Sequence, residues 1–477
     1  MLKELKNELN YTVTENGAVA YKSTFNKCLD FFGLAGAMRN NLQEALNLFK
    51  LAFSEDKLVA IRLLFYFRDV RGGQGERDVF KTCLNWLANE NSSMVSDNLF
   101  PHVVEHGRWD DLYCLVDTKC EKEMFQYMHN MFLKDLQSQA PTLLGKWLKS
   151  ENASSQETKK LATKTRLAFG LSSRQYRQSL SLLRGKINVL EVLMSTGQWD
   201  KIDFSKLPAK ASMIYKTAFY KRQPVRYQEF INAVEKGEVA VKSSTLYPYE
   251  LVNNVLYKNN TNADKIYLNS AWENLPDYIG DDTSNSIAVV DVSGSMCGDP
   301  MSVSISLGMY LAERCKGAFH NHFITFHDKP NIIEIPSNLS FVEKVGFIEN
   351  AEWGMNTNVK AVFDLILRTA VNNNTPASEI PQNVYIISDM EFDRCKRHDD
   401  DKALFDIIEK EWNDSGYELP RLIFWNVNAR KSQFPKIIGN VTLISGLSPS
   451  IFTSTLKNLS PVDTLMDAIS KYSDINV

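Results

Sequence analysis

Between Asn41 and Phe53 apolar side chains recur three and four residues apart. Leu42, Ala45, Leu46, Phe49 and Phe53 fall on one stripe, the spacing of an amphipathic helix. Leu58 to Val70 is apolar nearly all round, which predicts a buried helix. It stops at Arg71-Gly72-Gly73-Gln74-Gly75, where glycine admits the left-handed turn that ends helices. Glu76 and Asp78 then suit the N-terminal end of the next helix. Helical spacing continues near 97–106, 120–137, 157–168, 174–195, 207–220 and 225–235. Helices on short turns predict stacked pairs, a HEAT-like α-solenoid over residues 1–282, although no strict sequence period marks a repeat.

The pattern changes after two polar, turn-rich stretches, Asn259–Asp264 and Gly280–Ser286, which place a domain boundary near residue 283. Ser286–Asp291 is a short apolar run ending in a turn, as expected of a buried parallel strand. Further strands are predicted at 318–326, 331–335, 383–388, 421–427 and 441–444, the first two joined as a hairpin. Helices are predicted at 301–315, 358–371, 403–412, 448–459 and 461–472. Strands alternating with helices predict a doubly wound α/β sheet over residues 283–477, one whose fragment from about Ser284 folds alone.

Composition adds limits. Apolar residues make up 44% and charged residues 23%, ordinary values for a globular chain. No apolar run approaches the ~20 residues of a membrane span, and the start Met1-Leu-Lys-Glu-Leu-Lys has no apolar core of a secretory signal. Cysteines 28, 83, 114, 120, 297, 315 and 395 are odd in number and scattered, the pattern of reduced thiols, so a cytoplasmic protein is expected. The net charge of −3 is unevenly spread: residues 156–226 hold 15 basic and 4 acidic residues, an excess of +11. That excess points to a polyanionic partner.

In doubly wound sheets ligands bind beyond the carboxyl ends of the strands, and three polar clusters fall there. They are Asp291-Val-Ser293-Gly-Ser295 after the first strand, Gly354-Met-Asn-Thr357 before a helix, and Ser388-Asp389 after the 383–388 strand. Asp291, Ser293, Ser295, Thr357 and Asp389 all offer hard oxygens, which suit Mg²⁺ or Mn²⁺. Three of the five are neutral hydroxyls, so such an ion keeps positive charge for one acidic oxygen of a partner. The plain alternative for Asp-x-Ser-x-Ser by itself is a turn with a capping serine.

Asp-x-Ser-x-Ser, then a threonine, then an aspartate resembles the metal-ion-dependent adhesion site (MIDAS) of von Willebrand factor A domains. The resemblance covers the last two-fifths of the chain and implies the five residues as metal ligands. Tyr66–Asp78, Gly107–Leu112, Trp353–Thr357, Ser388–Asp393 and Gly416–Pro420 resemble an uncharacterised family pairing a helical N-terminal region with a C-terminal A domain. That family is similar in layout to the TROVE-domain proteins, including the Ro autoantigen, in which a ring of HEAT-like helices binds small and misfolded RNAs. By analogy the chain is expected to be a non-enzymatic, ribonucleoprotein-type RNA-binding protein. Its RNA contacts are expected from Lys159, Lys160, Lys164, Arg166, Arg174, Arg177, Arg184 and Lys186, then Lys216, Lys221, Arg222 and Arg226. Arg174, Arg177 and Arg184 are expected to share one helix face.

Two other function classes stand beside this. One is a protein-interaction scaffold in which the metal site captures an acidic side chain without nucleic acid. The other is a metal-dependent phosphoesterase, using Glu391, Asp393 and His398 beside the metal edge. Arg71–Gly75 lacks the Gly-Lys-Ser/Thr of a phosphate-binding loop, no Gly-x-Ser-x-Gly elbow occurs, and His320, His322 and His327 lack nearby cysteine or acidic ligands for zinc.

Overall fold

A computed structural model gives the fold and describes residues 6, 9–325, 329–350, 357–394 and 403–476. Gly354, Asn356, His327, Cys395 and His398 therefore lie outside the described residues.

The N-terminal region is helical, as its spacing predicts. The 41–53 stripe lies on the helix Leu42–Glu55, capped by the Asn41 side chain on the Glu44 amide, and it buries Ala45, Phe49 and Phe53. The apolar run is the helix Lys57–Arg68, with Ile61, Leu63, Leu64, Phe65 and Phe67 fully buried. The expected 174–195 helix is broken: Ser173–Lys186 ends, Asn188 turns left-handed at φ 49°, and Leu190–Ser195 restarts. Asparagine is among the few residues that tolerate that conformation. The polar stretch 259–264 is not a linker throughout, because Thr261 and Asp264 form a capping box that opens the helix Asn262–Glu273.

The N-terminal hairpin pairs β1 (Tyr11–Val13) with β2 (Val19–Tyr21). The C-terminal region is a six-stranded sheet in the order β5-β4-β3-β6-β7-β8, where β3 is Ser286–Val290, β4 His322–Thr325, β5 Asn331–Glu334, β6 Asn383–Ser388, β7 Arg421–Asn426 and β8 Val441–Ser445. Only β5 is antiparallel, paired with β4 as the hairpin predicted from sequence. Strand order reverses between β3 and β6, and that switch point lies where Asp291 and Asp389 leave the sheet.

Helix Asp299–Arg314 covers one face of the sheet. Its Gly308 lies so close to Val290 that a β-carbon there would collide with the valine side chain. Helices Val359–Asn373 and Leu404–Asp414 meet on the other face, where Phe405 stacks edge-on against Phe363 and Phe424. The crossover from β7 to β8, residues 427–440, contains no helix. Its place over these strands is taken by the N-terminal helix Lys27–Leu34, whose Phe31, Phe32 and Leu34 are buried. Gly36 abuts the Ser445 backbone, donates its N–H to Ser445 Oγ at 3.0 Å, and Ser445 Oγ–H in turn donates to the Phe32 carbonyl. Tyr21 and Phe434 exchange backbone hydrogen bonds of 2.8 and 2.7 Å, extending the contact. One continuous apolar core consequently runs from Ala18 to Ile475.

Candidate metal centre at the switch point

β3 and β6 lie side by side, and the Asp291 amide still donates to the Ile387 carbonyl at 3.0 Å as the chain leaves the sheet. Asp291 is fully buried, Ser293 and Asp389 nearly so, and Ser295 is half-buried. Asp291 Oδ1 accepts the Ser293 N–H at 2.9 Å and its Oδ2 accepts the Ser388 hydroxyl. The Ser293 and Ser295 hydroxyls are 3.0 Å apart. Asp389 Oδ1 accepts the Glu391 N–H at 3.2 Å. Its Oδ2 is buried without a hydrogen-bond partner, and Arg430 Nη2 lies 3.8 Å away. Met390 between them is left-handed at φ 64°, an uncommon state for a side chain of its size, and this bend returns Glu391 to the site.

Thr357 is placed differently. Its hydroxyl lies 2.9 Å from both the Asp393 carboxylate and the Glu391 carbonyl, and its N–H donates to Asp393 at 3.0 Å. It thus reaches the group through the 391–393 segment. Asn16, from the N-terminal hairpin, donates Nδ2–H to Thr357 Oγ1 at 2.9 Å and to the Glu391 carbonyl at 2.7 Å. The Glu15 N–H donates to Glu391 Oε2 at 2.6 Å, and the Glu15 carboxylate pairs with Arg430 at 2.7 Å. These hairpin residues and Arg430 carry no motif, so only Ser388, Glu391 and Asp393 had a sequence signal, their adjacency to Asp389.

Three buried carboxylates meet here. Burial, and then the charge of Asp389, push Asp291 up from 3.8 to about 6. Burial likewise raises Asp389, against the opposing Ser295 hydroxyl and Glu391 amide. Glu391 is raised by burial too. Carboxylates this poorly compensated favour either a proton or a cation.

The basic segment divides. Lys164 pairs with Asp117 and Glu121, Arg166 with Glu151, and Lys216 with Asp264. Arg184 is engaged inside the fold, donating to the Gly145 and Leu148 carbonyls and to Ser150 Oγ. Lys186 donates to the Leu136 and Ser138 carbonyls, and Arg226 to those of Trp199 and Ile202. Lys160, Arg174, Arg177, Lys221 and Arg222 are exposed and Lys159 half-exposed. Arg174 and Arg177 therefore share an exposure that Arg184 lacks. The Arg71–Gly75 turn docks on the C-terminal region, where Gln74 Oε1 accepts the Ser448 N–H at 3.1 Å. His320 and His322 turn Nδ1 to backbone carbonyls at 2.8 and 2.7 Å.

A family profile described as a domain of unknown function, DUF2828, matches residues 14–166 and 135–275, more than half of the chain. The chain belongs to the DUF2828 family. A second profile, also a domain of unknown function, DUF7788, matches residues 285–472. The chain is similar to uncharacterized protein L728 of Acanthamoeba polyphaga mimivirus, 31% identical over 508 residues, which cover 97% of this chain and 88% of that protein. Among solved structures it is similar to the Deinococcus radiodurans RO (RSR) protein, at 11% identity and a TM-score of 0.38 over 91% of this chain and 99% of that one. A likeness of that size carries no weight for fold or function here. Among the described residues, no helix is long and apolar enough to cross a membrane.

Proposed function

We propose that this DUF2828 protein is a non-enzymatic binding protein whose C-terminal sheet is a von Willebrand factor A-like domain with a divalent-cation site. Asp291, Ser293, Ser295, Thr357 and Asp389 would hold Mg²⁺ or Mn²⁺, and the chemistry supplied is Lewis-acid attraction for one acidic oxygen of a partner protein. The observation that carries this is the buried Oδ2 of Asp389, which accepts no hydrogen bond and meets only Arg430 at 3.8 Å, beside the buried Asp291 at the switch point. Two buried carboxylates facing one distant guanidinium are costly unless a proton or a closer cation answers them. All five side chains offer oxygen and none offers nitrogen or sulfur, which fits a hard ion. Titration calorimetry with Mn²⁺ on the full chain tests it: binding is expected in the parent and lost in Asp389→Asn, and equal binding in both would overturn the assignment.

A second reading, RNA binding by the helical region, is supported by the exposed group Lys160, Arg174, Arg177, Lys221 and Arg222. Exposed basic side chains of this kind suit a phosphate backbone without base preference. Six of the twelve basic residues expected for this role are instead spent on carboxylates and carbonyls of other elements, and Arg177, though exposed, donates Nε–H to the Ser173 carbonyl of its own helix.

A further inference from the structure

Far from the switch point, His102-Val-Val-Glu105-His106 closes the helix Phe100–His106. Residues four apart share a helix face, and the two imidazoles are nearly parallel, with an interplanar angle of 12° and centroids 6.1 Å apart. His102 Nδ1 and His106 Nε2 are both shielded from solvent and neither has a hydrogen-bond partner. Two carboxylates stand over them: His102 Nδ1 is 3.5 Å from Asp474 Oδ2 and 3.8 Å from Glu105 Oε2. One ligand atom from each of these four residues lies within 4.8 Å of all the others.

Asp474 is held in position by its neighbours. The Arg62 guanidinium donates to the Ser473 carbonyl at 2.8 Å and the Ile475 carbonyl at 3.2 Å. Tyr472 and Ile475 on either side are fully buried, and the Tyr472 hydroxyl donates to Asp69. His106 packs edge-on against Tyr472 at 5.0 Å and Phe65 at 5.9 Å. Both halves of the cluster are thereby fixed before any ligand arrives. A His102–Asp474 ion pair would account for one imidazole nitrogen but leave His106 Nε2 buried and unanswered.

We propose that His102, Glu105, His106 and Asp474 form a transition-metal site, best suited to Zn²⁺, that clips the tail 472–475 to the helix 100–106. Two neutral imidazoles and two carboxylates complete a neutral, four-coordinate N₂O₂ shell, the chemistry of zinc rather than magnesium. Tetrahedral ligands at zinc bond lengths lie about 3.4 Å apart, so the side chains need to draw in by about an ångström from the observed spread.

The test uses the full chain, freed of metal by chelation and then saturated with Mg²⁺. Titration with Zn²⁺ is expected to show one site per chain, and Co²⁺ in its place to give the strong visible absorption of a tetrahedral centre. Both signals should vanish in a His102→Ala, His106→Ala double variant and persist in Asp291→Asn. Because the histidines pack against Phe65 and Tyr472, the exposed Asp474→Asn serves as a second variant, expected to weaken Zn²⁺ roughly tenfold or more while leaving the circular dichroism unchanged. Zn²⁺ should also slow amide exchange at residues 472–475. No Zn²⁺ uptake by the parent, or uptake unaltered in a folded double variant, or uptake lost in Asp291→Asn, would overturn the proposal.

Discussion

Replacing Asp291 by asparagine separates the cost of a buried charge from the gain of a bound cation. In the metal-free chain, the Asp291 carboxyl is raised from 3.8 to about 6 by burial and by Asp389. The unfolded chain releases this proton first, so between about pH 4 and 6 it holds fewer protons than the folded chain. Stability therefore falls across that window as pH rises, and the full loss, about 3 kcal/mol, is in place at pH 7. Asparagine carries no charge to bury. Its oxygen can still accept the Ser293 N–H, and its amide can donate to Ser388 Oγ, so the turn keeps its bonds. In chelator at pH 7 the variant should thus be at least as stable as the parent, by up to about 3 kcal/mol, and at pH 4 the advantage should disappear.

Mg²⁺ should reverse the order. At a hundred times its Kd a cation stabilises the parent by about 2.7 kcal/mol, and the variant, lacking one anionic ligand, should gain little. Urea denaturation of both proteins, in chelator and in Mg²⁺ at pH 4 and pH 7, measures these stabilities from the shift of midpoint. A parent that is indifferent to Mg²⁺ and Mn²⁺, or a variant less stable than the parent in chelator at pH 7, would refute the reasoning.

Arg184→Gln removes a guanidinium bonded to two carbonyls and a hydroxyl and should cost about 2–3 kcal/mol in denaturant titration, whereas the exposed Arg174→Gln should change stability by less than about 0.5 kcal/mol. If RNA binds, glutamine at Lys160, Arg174, Arg177, Lys221 and Arg222 together should weaken it evenly across sequences and flatten the log–log salt dependence by about 0.7 for each phosphate no longer neutralised. Filter binding at several salt concentrations reads both, and an unchanged slope counts against these residues. A 284–477 fragment lacks the helix Lys27–Leu34, which lies against Leu443 and Phe434 at Gly33 and whose Phe32 carbonyl accepts from Ser445, so it should bind a hydrophobic dye and unfold without cooperativity unless a peptide spanning residues 9–40 is added. Cooperative unfolding of the fragment on its own would show that the helix is dispensable.

Much of the local structure was legible because period and burial coincide. The strand Asn383–Ser388 is buried at every position, and its Val384–Ile387 reads as an unbroken apolar run between polar ends, so its limits are legible in the sequence. The adjacency of Asp291 and Asp389 also follows from local signals, since each ends a central parallel strand and the right-handed winding sets those strands side by side. The breaks inside helices were harder: 174–195 keeps its helical spacing through Asn188, and only the left-handed backbone there divides it. The short helix Phe341–Glu349 is not among the elements its spacing predicts, although Ser340 and Glu343 form a capping box at its start. His102 and His106 carry no sequence signal for a site, because they gain meaning only from Asp474, which the sequence sets far away.

The region least accessible to sequence is the one where residues 9–40 meet the C-terminal sheet. A domain drawn from residue 283 onward contains every strand of the sheet, yet its β7–β8 crossover supplies no helix, and nothing in residues 427–440 signals what covers that face. The covering helix lies at Lys27–Leu34, and it packs at the same time into the helical region, with Phe31 against Phe49 and Phe67 and Phe32 against Tyr66. The same excursion carries the Thr14–Gly17 turn onto the 391–394 segment, where Thr14 Oγ1 donates to the Phe392 carbonyl at 2.8 Å and Arg394 N–H to the Asn16 carbonyl at 3.1 Å. Glu15 and Asn16 reach the candidate metal centre on a hairpin that Thr14 ties to Phe392 and Tyr21 ties to Phe434, just before the helix that Gly36 and Ser445 fix on β8. Sheet completion and site closure thus come from one N-terminal excursion, and removal of residues 9–40 takes away both the cover over β8 and the two hairpin residues that contact Glu391 and Thr357.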